Sequence, residues 1–335
     1  MEYLAEKLIT AIAFLSFAFI VLIFIFVFRE AAPIFSSEPE SASAGVTVEQ
    51  PETYGDEFLG AAQRQAVARE KENPSVERGG EGTADVSNLS SRTWQPVSSI
   101  PKYGLLPLVA GSLKVTVVAI LVAAPLAILA ALFTSAFAPR WAKEVLKPAI
   151  EVLAGIPSVV VGFFALVVMA TFLQSVLDFE YRLNAFVGGL ALSIAVIPII
   201  YTITEDALNA VPKVMTEASL ALGATKWQTA LFVVLPAATP GLFAAILLGI
   251  GRAFGETMIV LMATGNAAMF SSNFFEPVRT MSATIGAEMA EVVFGDTHYT
   301  VLFLIGSILF VFTFTLNAVA ELFVRKRLMK RFTGR

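Results

Sequence analysis

Six long stretches of this 335-residue chain are apolar enough to cross a bilayer, and they limit the fold more than anything else in it. Inside a hydrocarbon layer there is no water to pair with backbone N–H and C=O groups, so only helices and closed barrels satisfy them. The clearest stretch, residues 8–28, runs for 21 residues without a charge. As a helix rising about 1.5 Å per residue, it spans the apolar core of a membrane. It is longer than a signal-peptide core, and no small-residue cleavage site follows, so an uncleaved anchor is expected. Further spans are expected at 106–138, 148–177, 184–202, 241–263 and 299–323. A hydrophobic fraction of 56% with 28 Phe sets the chain apart from soluble domains of its size. The fold class expected is an all-α integral membrane protein with six transmembrane helices.

Between the first two spans the composition changes in kind. Residues 30–104 are rich in Ser, Glu, Gly and Pro, with Glu38, Glu40, Glu49, Glu52, Asp56 and Glu57 outweighing the basic residues. This predicts a partly disordered acidic insertion, loose over 36–56 and 73–93, with one short surface helix at 57–72 and order returning at Trp94–Pro96 and Pro101–Gly104. The domain plan is then a 1–29 anchor, the 30–104 insertion, a five-helix core at 105–325 with a polar loop at 204–230, and a basic tail at 326–335. Basic residues near span ends mark the cytoplasmic side. Arg140, Lys143 and Lys147 lie in one connection, Lys213 and Lys226 in another, and Arg325, Lys326 and Arg327 open the tail. Both termini are therefore expected in the cytoplasm and the acidic insertion outside.

Several chemistries are excluded. There is no Cys, hence no disulfide or thiolate metal site, and a single His, His298, rules out a His-rich cluster. No G-x-x-x-x-G-K-[ST] occurs, so any ATP used is bound by another polypeptide. The chain is expected to be a non-enzymatic subunit with no cofactor of its own and no metal. Among its other polar residues, Lys114 is expected to snorkel to the interface and His298 to be an ordinary interfacial residue. Glu288 and Glu291 are expected on the solvated face of an outer amphipathic helix.

Two polar features stand out. In Gly251-Arg252-Ala253-Phe254-Gly255-Glu256-Thr257 the two opposite charges are four residues apart, so they share a helix face and can pair. Charges at membrane depth are expensive and face a cavity or the bundle interior. Gly251 and Gly255 form a small face that another helix can approach closely. The residues alone fit either an anion pathway lined by Arg252 or a buried brace. The second feature is 217–241, a polar island: a short helix around Glu217 and Ala218, a stop at Gly223, Trp227 at the interface, then Leu235-Pro236. On spacing alone it is equally a docking helix for another protein or an ordinary connection.

The order Glu217-Ala218, Gly223, Val233, Leu235-Pro236 resembles the EAA loop of ABC-importer permeases, with Ser219 in place of the third motif residue and Val233 in place of Ile. The resemblance implies that this loop is a coupling helix seated in a cleft of the ATPase, with that role at Glu217, Ala218 and Gly223. Arg252-Ala-Phe-Gly-Glu256-Thr257 is similar to phosphate-importer permeases of the PstC and PstA type. So are Gly155-Ile-Pro-Ser158 before Gly162, and Pro277-Val-Arg-Thr280 with Ile285-Gly-Ala-Glu288. Gly265-Asn266 after the charged motif leans to PstC. The likeness covers 10–32 and 94–325, not the insertion. It implies a phosphate permease of the bacterial inner membrane working by alternating access, with Arg252 and Glu256 as translocation residues. It further implies a PstA-like second permease, a PstB-like ATPase dimer that binds the ATP, and a periplasmic PstS-like phosphate-binding protein. The rival readings are a permease for molybdate or sulfate, a secondary transporter coupled through Glu256, and a membrane anchor or sensor that moves nothing.

Overall fold

The computed structural model describes residues 18, 21–35, 86–98 and 101–332, with side chains as far as 322. Most of the acidic insertion, including the helix expected at 57–72, and the start of the first span lie outside the described residues. Residues 21–31 are helical (α1) and end in a 3-10 turn, Ala32–Ile34. At the near end of the insertion, 86–93 is ordered rather than loose. A short helix α2 (Val86–Leu89) leads into a two-stranded hairpin, β1 (Trp94–Gln95) with β2 (Lys102–Tyr103), in which Trp94 faces Tyr103. Trp94 and Tyr103 are both buried, and this burial holds the hairpin.

Five helices among the described residues are long and apolar enough to cross a membrane: Leu106–Phe137 (α3), Ser158–Leu177 (α5), Ala185–Asn209 (α6), Lys226–Phe254 (α8) and Thr297–Leu322, part of α11 (Thr297–Phe332). Several expected boundaries move, each for a local reason. The basic connection at 139–147 is not a loop but the start of an amphipathic helix, α4 (Arg140–Gly155), with Pro148 inside it. The helix stops because Ile156, preceding Pro157, is pushed to an extended conformation (ψ 124°), and α5 restarts at Ser158. The third core helix begins at Ala185 because the Asn184 side chain accepts the Val187 N–H (2.9 Å), and it continues through Thr204, Glu205 and Asp206 to Asn209.

The largest shift is in α8. The expected span starting at 241 begins instead at Lys226, where Thr225 and Gln228 form a capping box. Pro236 has no N–H to continue the ladder. A widened turn at Ala230–Val234, in which Leu235 N bonds back to Ala230 O, precedes it and carries the helix past. The helix ends at Phe254. A second short helix, α9 (Met258–Ala263), follows a break at Gly255–Thr257. The segment after it holds another helix, α10 (Met281–Glu288), whose Met281, Ala283 and Thr284 are fully buried.

The core is built on small residues. Ala119, Ala123, Ala127 and Ala131 of α3 and Ala191 of α6 are completely buried, and α3 and α6 make the most extensive contact in the fold. Lipid is as apolar as a helix surface, so association depends on close backbone approach rather than on the hydrophobic effect. A second cluster, around Trp94, Tyr103, Leu108, Met281 and Ile305, joins the hairpin, α3, α10 and α11. Gly189 shows how tight the first contact is: a Cβ there would lie 2.5 Å from Val118 Cβ and 2.9 Å from the Val115 carbonyl oxygen. Gly189→Ala is expected to lower stability by about 1–3 kcal/mol, read as an earlier loss of monodispersity on heating in detergent. An unchanged midpoint would mean that α3 and α6 separate freely at this point.

Candidate functional site

The break in α8 concentrates polar chemistry inside an apolar span. Gly255 caps the helix, and Glu256 sits just beyond it, its N–H bonded to Ala253 O (3.3 Å). Arg252 is in the last turn, where the negative end of the helix favours a cation. The two therefore pair across a helix end rather than along an unbroken face, Arg252 Nη1 to Glu256 Oε2 at 2.8 Å. The pair is lopsided: the Glu256 side chain is 5% exposed and that of Arg252 46%. The freed carbonyl of Glu256 accepts the Ser282 hydroxyl of α10 at 2.6 Å, and Met281 N donates to Ser112 Oγ of α3 at 2.9 Å. Of the two glycines, Gly251 is the one approached by another helix: a Cβ there would meet Asn317 Oδ1 of α11 at 3.3 Å. Gly255 meets only the carbonyl of Gly251.

The stretch around Glu217 lies on a separate short helix that precedes α8, at the opposite end of α8 from the break. Residues Lys213–Ala221 form helix α7, none of whose residues is buried, so Glu217 and Ala218 are both exposed. Gly223 adopts φ +85°, the left-handed conformation that ends a helix and that glycine takes without strain. Ser219 Oγ meets Thr229 Oγ1 at 2.9 Å and folds α7 against the base of α8. Val214 of this element and Leu222 just after it stand 73% and 89% exposed, an apolar surface that no described residue covers. Trp227 is half-exposed and packs on Phe137 of α3.

Four polar groups differ from the expectation. Lys114 does not snorkel to the interface but is buried, and its ammonium donates to the Asn273 carbonyl at 3.0 Å. Glu205, placed in a loop by its polar neighbours, is instead a buried acid of α6 paired with Lys147 of α4 at 2.6 Å. Glu288 is not on a solvated face. It ends α10 with its carboxylate nearly buried, accepting Arg279 Nη1 and Trp94 Nε1 (3.2 Å) on one oxygen and meeting His298 Nε2 (2.9 Å) with the other. His298 is correspondingly not a free interfacial ring, for it also packs beside Trp94 and Tyr103 at about 6 Å. Glu291, by contrast, is exposed. The spacing of 288 and 291 could not find this hub, since its partners are 9, 10 and 194 residues away.

The family model for the inner membrane component of binding-protein-dependent transport systems matches residues 123–328. The chain belongs to this family. It is a multi-pass inner-membrane component of a binding-protein-dependent transport system. Among similar proteins, the probable ABC transporter permease protein YqgH of Bacillus subtilis is 40% identical over 233 residues, covering 70% of this chain and 75% of that one. The phosphate transport system permease protein PstC of Mesorhizobium japonicum is 36% identical over 258 residues, covering 71% and 78%. A solved MetNI methionine ABC transporter in inward facing conformations overlays with a TM-score of 0.48 at 19% identity, covering 67% of this chain and 94% of that one. In this permease the break and α7 both fall within the matched region, and the hairpin falls outside it.

The surroundings of Glu288 lead us to expect a pH dependence of stability. Burial alone would raise the Glu288 pKa. The hydrogen bond to His298, the charge of Arg279 and the indole bond outweigh burial and hold the carboxyl below its ordinary value of 4.5. A depressed folded-state pKa means stability that is present above the unfolded value and lost as pH falls through the folded one. The melting temperature of the purified protein is expected to fall on acidification below pH 4.5, and Glu288→Gln to flatten that acid limb. An equally steep limb in the variant would assign the loss to other carboxylates.

Proposed function

We propose that this permease carries inorganic phosphate inward by alternating access, driven by ATP hydrolysis on a separate polypeptide. The observation that carries the reading is the lopsided pair at the helix break. A structural brace is best served by burying both charges, whereas here Glu256 is buried and Arg252 keeps nearly half of its side chain open. An arginine within an apolar span costs about 2.5–3.5 kcal/mol on insertion scales. An exposed one therefore faces a companion subunit or a water-lined route rather than lipid. Its planar, always-charged guanidinium suits a tetrahedral oxyanion. The Mesorhizobium relative, by its name a phosphate transport permease, supports phosphate as that anion.

Arg252 is the anion-facing group of this route, and Glu256 holds it and tempers its charge. Glu217 and Ala218 on exposed α7, with the turn at Gly223, seat in the ATPase. The apolar tip around Val214 and Leu222 supplies the contact area. The full importer joins this chain to a PstA-like permease, a PstB-like ATPase dimer and a PstS-like binding protein. The basic residues of α4, α7 and the tail support a cytoplasmic position for both termini.

Uptake of radiolabelled phosphate by the reconstituted complex tests both ends. Arg252→Ala is expected to lower uptake by more than about tenfold while the complex still assembles. Normal uptake in the assembled variant would remove Arg252 from the route. Glu217→Lys is expected to release the ATPase on purification or to uncouple its hydrolysis from uptake. Retention of both the ATPase and transport would remove α7 from the coupling contact.

A further inference from the structure

We propose that Glu288 is a positioning residue for the charged pair at the helix break, acting on it through the rigid helix α10. This rests on the pathway reading of Arg252 and Glu256. Two motif segments that resemblance alone leaves without a task, around Pro277–Thr280 and Ile285–Glu288, meet in this element. Glu288 closes the C-terminal end of α10 by gathering Arg279, His298 of α11 and Trp94 of the hairpin onto one carboxylate. Arg279 in turn donates through Nε to Asn266 Oδ1 at 2.9 Å, and Asn266 has φ +48° beside Gly265 at +80°. The hub thus also pins the turn by which the chain leaves α9.

The other end of α10 rests on the break. Thr280 caps the helix by accepting Ala283 N (3.2 Å), and Ser282 donates to the Glu256 carbonyl. One turn further, a Cβ at Gly286 would lie 2.6 Å from Thr257 Cγ2, so the helix lies directly against the broken segment. With eight residues α10 is about 12 Å long, too short to bend. Its tilt is therefore set by what holds its two ends, and the outer end is held by Glu288. Most of each side chain in the hub is buried, with exposures of 16% for Arg279 and 12% for Glu288 and His298. Loss of its single anion leaves a buried guanidinium unpaired and lets α10 shift, moving Ser282 off Glu256.

The chain contains no Cys, so single-cysteine reporters can be placed without background. Gly255→Cys reports the break. Gly155→Cys, where a new Cβ meets nothing within 4 Å, serves as the control. In the assembled complex, Glu288→Gln is expected to change the rate of labelling at 255 by a charged methanethiosulfonate about fivefold or more, with none at 155. In phosphate uptake, Glu288→Gln and Glu256→Gln are each expected to lose roughly tenfold, and the double variant no more than the worse single one. Unchanged labelling at 255, or losses that multiply in the double variant, would overturn the proposal. If Glu256→Gln transports normally, the pathway reading fails by itself, and labelling at 255 alone then decides whether Glu288 positions the break. Should Glu288→Gln not assemble, Glu288→Asp keeps the charge, shortens the reach by one methylene, and is read in the same way.

Discussion

The hydrogen bond from Ser282 to the Glu256 carbonyl is the contact on which the arrangement around the helix break depends. Between the end of α8 at Phe254 and the start of α9 at Met258, this carbonyl lies outside both helices and takes its donor from a side chain. A buried carbonyl without a donor costs about 1–3 kcal/mol. The break is tolerable only if another element brings a donor to it. That element must lie against α8 and be narrow enough to fit, and something must hold it there. Gly286 supplies the narrowness, Ser112 of α3 anchors the first turn, and the Glu288 hub fixes the far end. The segment between α9 and α11 is thus not a bare connecting loop: its helix α10 packs against the break and brings a donor to it.

The same logic explains why small residues dominate the contacts. Polar groups are satisfied across helices only when backbones come close, as between Tyr201 of α6 and Thr134 of α3, whose hydroxyls lie 3.0 Å apart. Alanine and glycine on α3, α6 and α8 bring the axes into that range. Bulky residues lie mostly elsewhere: Leu121, Leu126, Leu129 and Phe133 of α3 are about half-exposed, on a surface suited to lipid or a companion subunit.

What could be read in the sequence follows from the range of each signal. Length and charge-free runs found five helices, and the motif spacing located the ion pair and a short exposed helix at Glu217, because those signals are local. The starts and ends of helices were less legible. The span expected from 241 begins at Lys226 because a widened turn carries α8 past Pro236, and Pro157, inside the single span expected at 148–177, starts α5. Thr204, Glu205 and Asp206 look like a loop entry. They are helical because Glu205 finds Lys147, a residue 58 positions earlier, and a buried acid with such a partner no longer needs water. Glu288 was misread for the same reason. A carboxylate three residues from another on a helix looks solvated until tertiary contacts bring an arginine, a histidine and an indole to it.

The ion pairs divide into two kinds by exposure. In Lys147–Glu205 and Arg252–Glu256 the acid is buried, at 8% and 5%, and the base is open, at 45% and 46%. In the Glu288 hub both signs are enclosed. A buried carboxylate cannot give up its partner without a large penalty, while a half-exposed cation gives up less when it turns to another anion. The first two pairs therefore present positive charge that a passing or docking anion can compete for, held in place by an acid that stays put. The hub has no such freedom, and its enclosure makes it a fixed point against which the break can move. A permease that alternates between two states needs both kinds. On the proposed pathway reading, groups whose partners can be exchanged face the route, and groups whose partners cannot be exchanged define the frame.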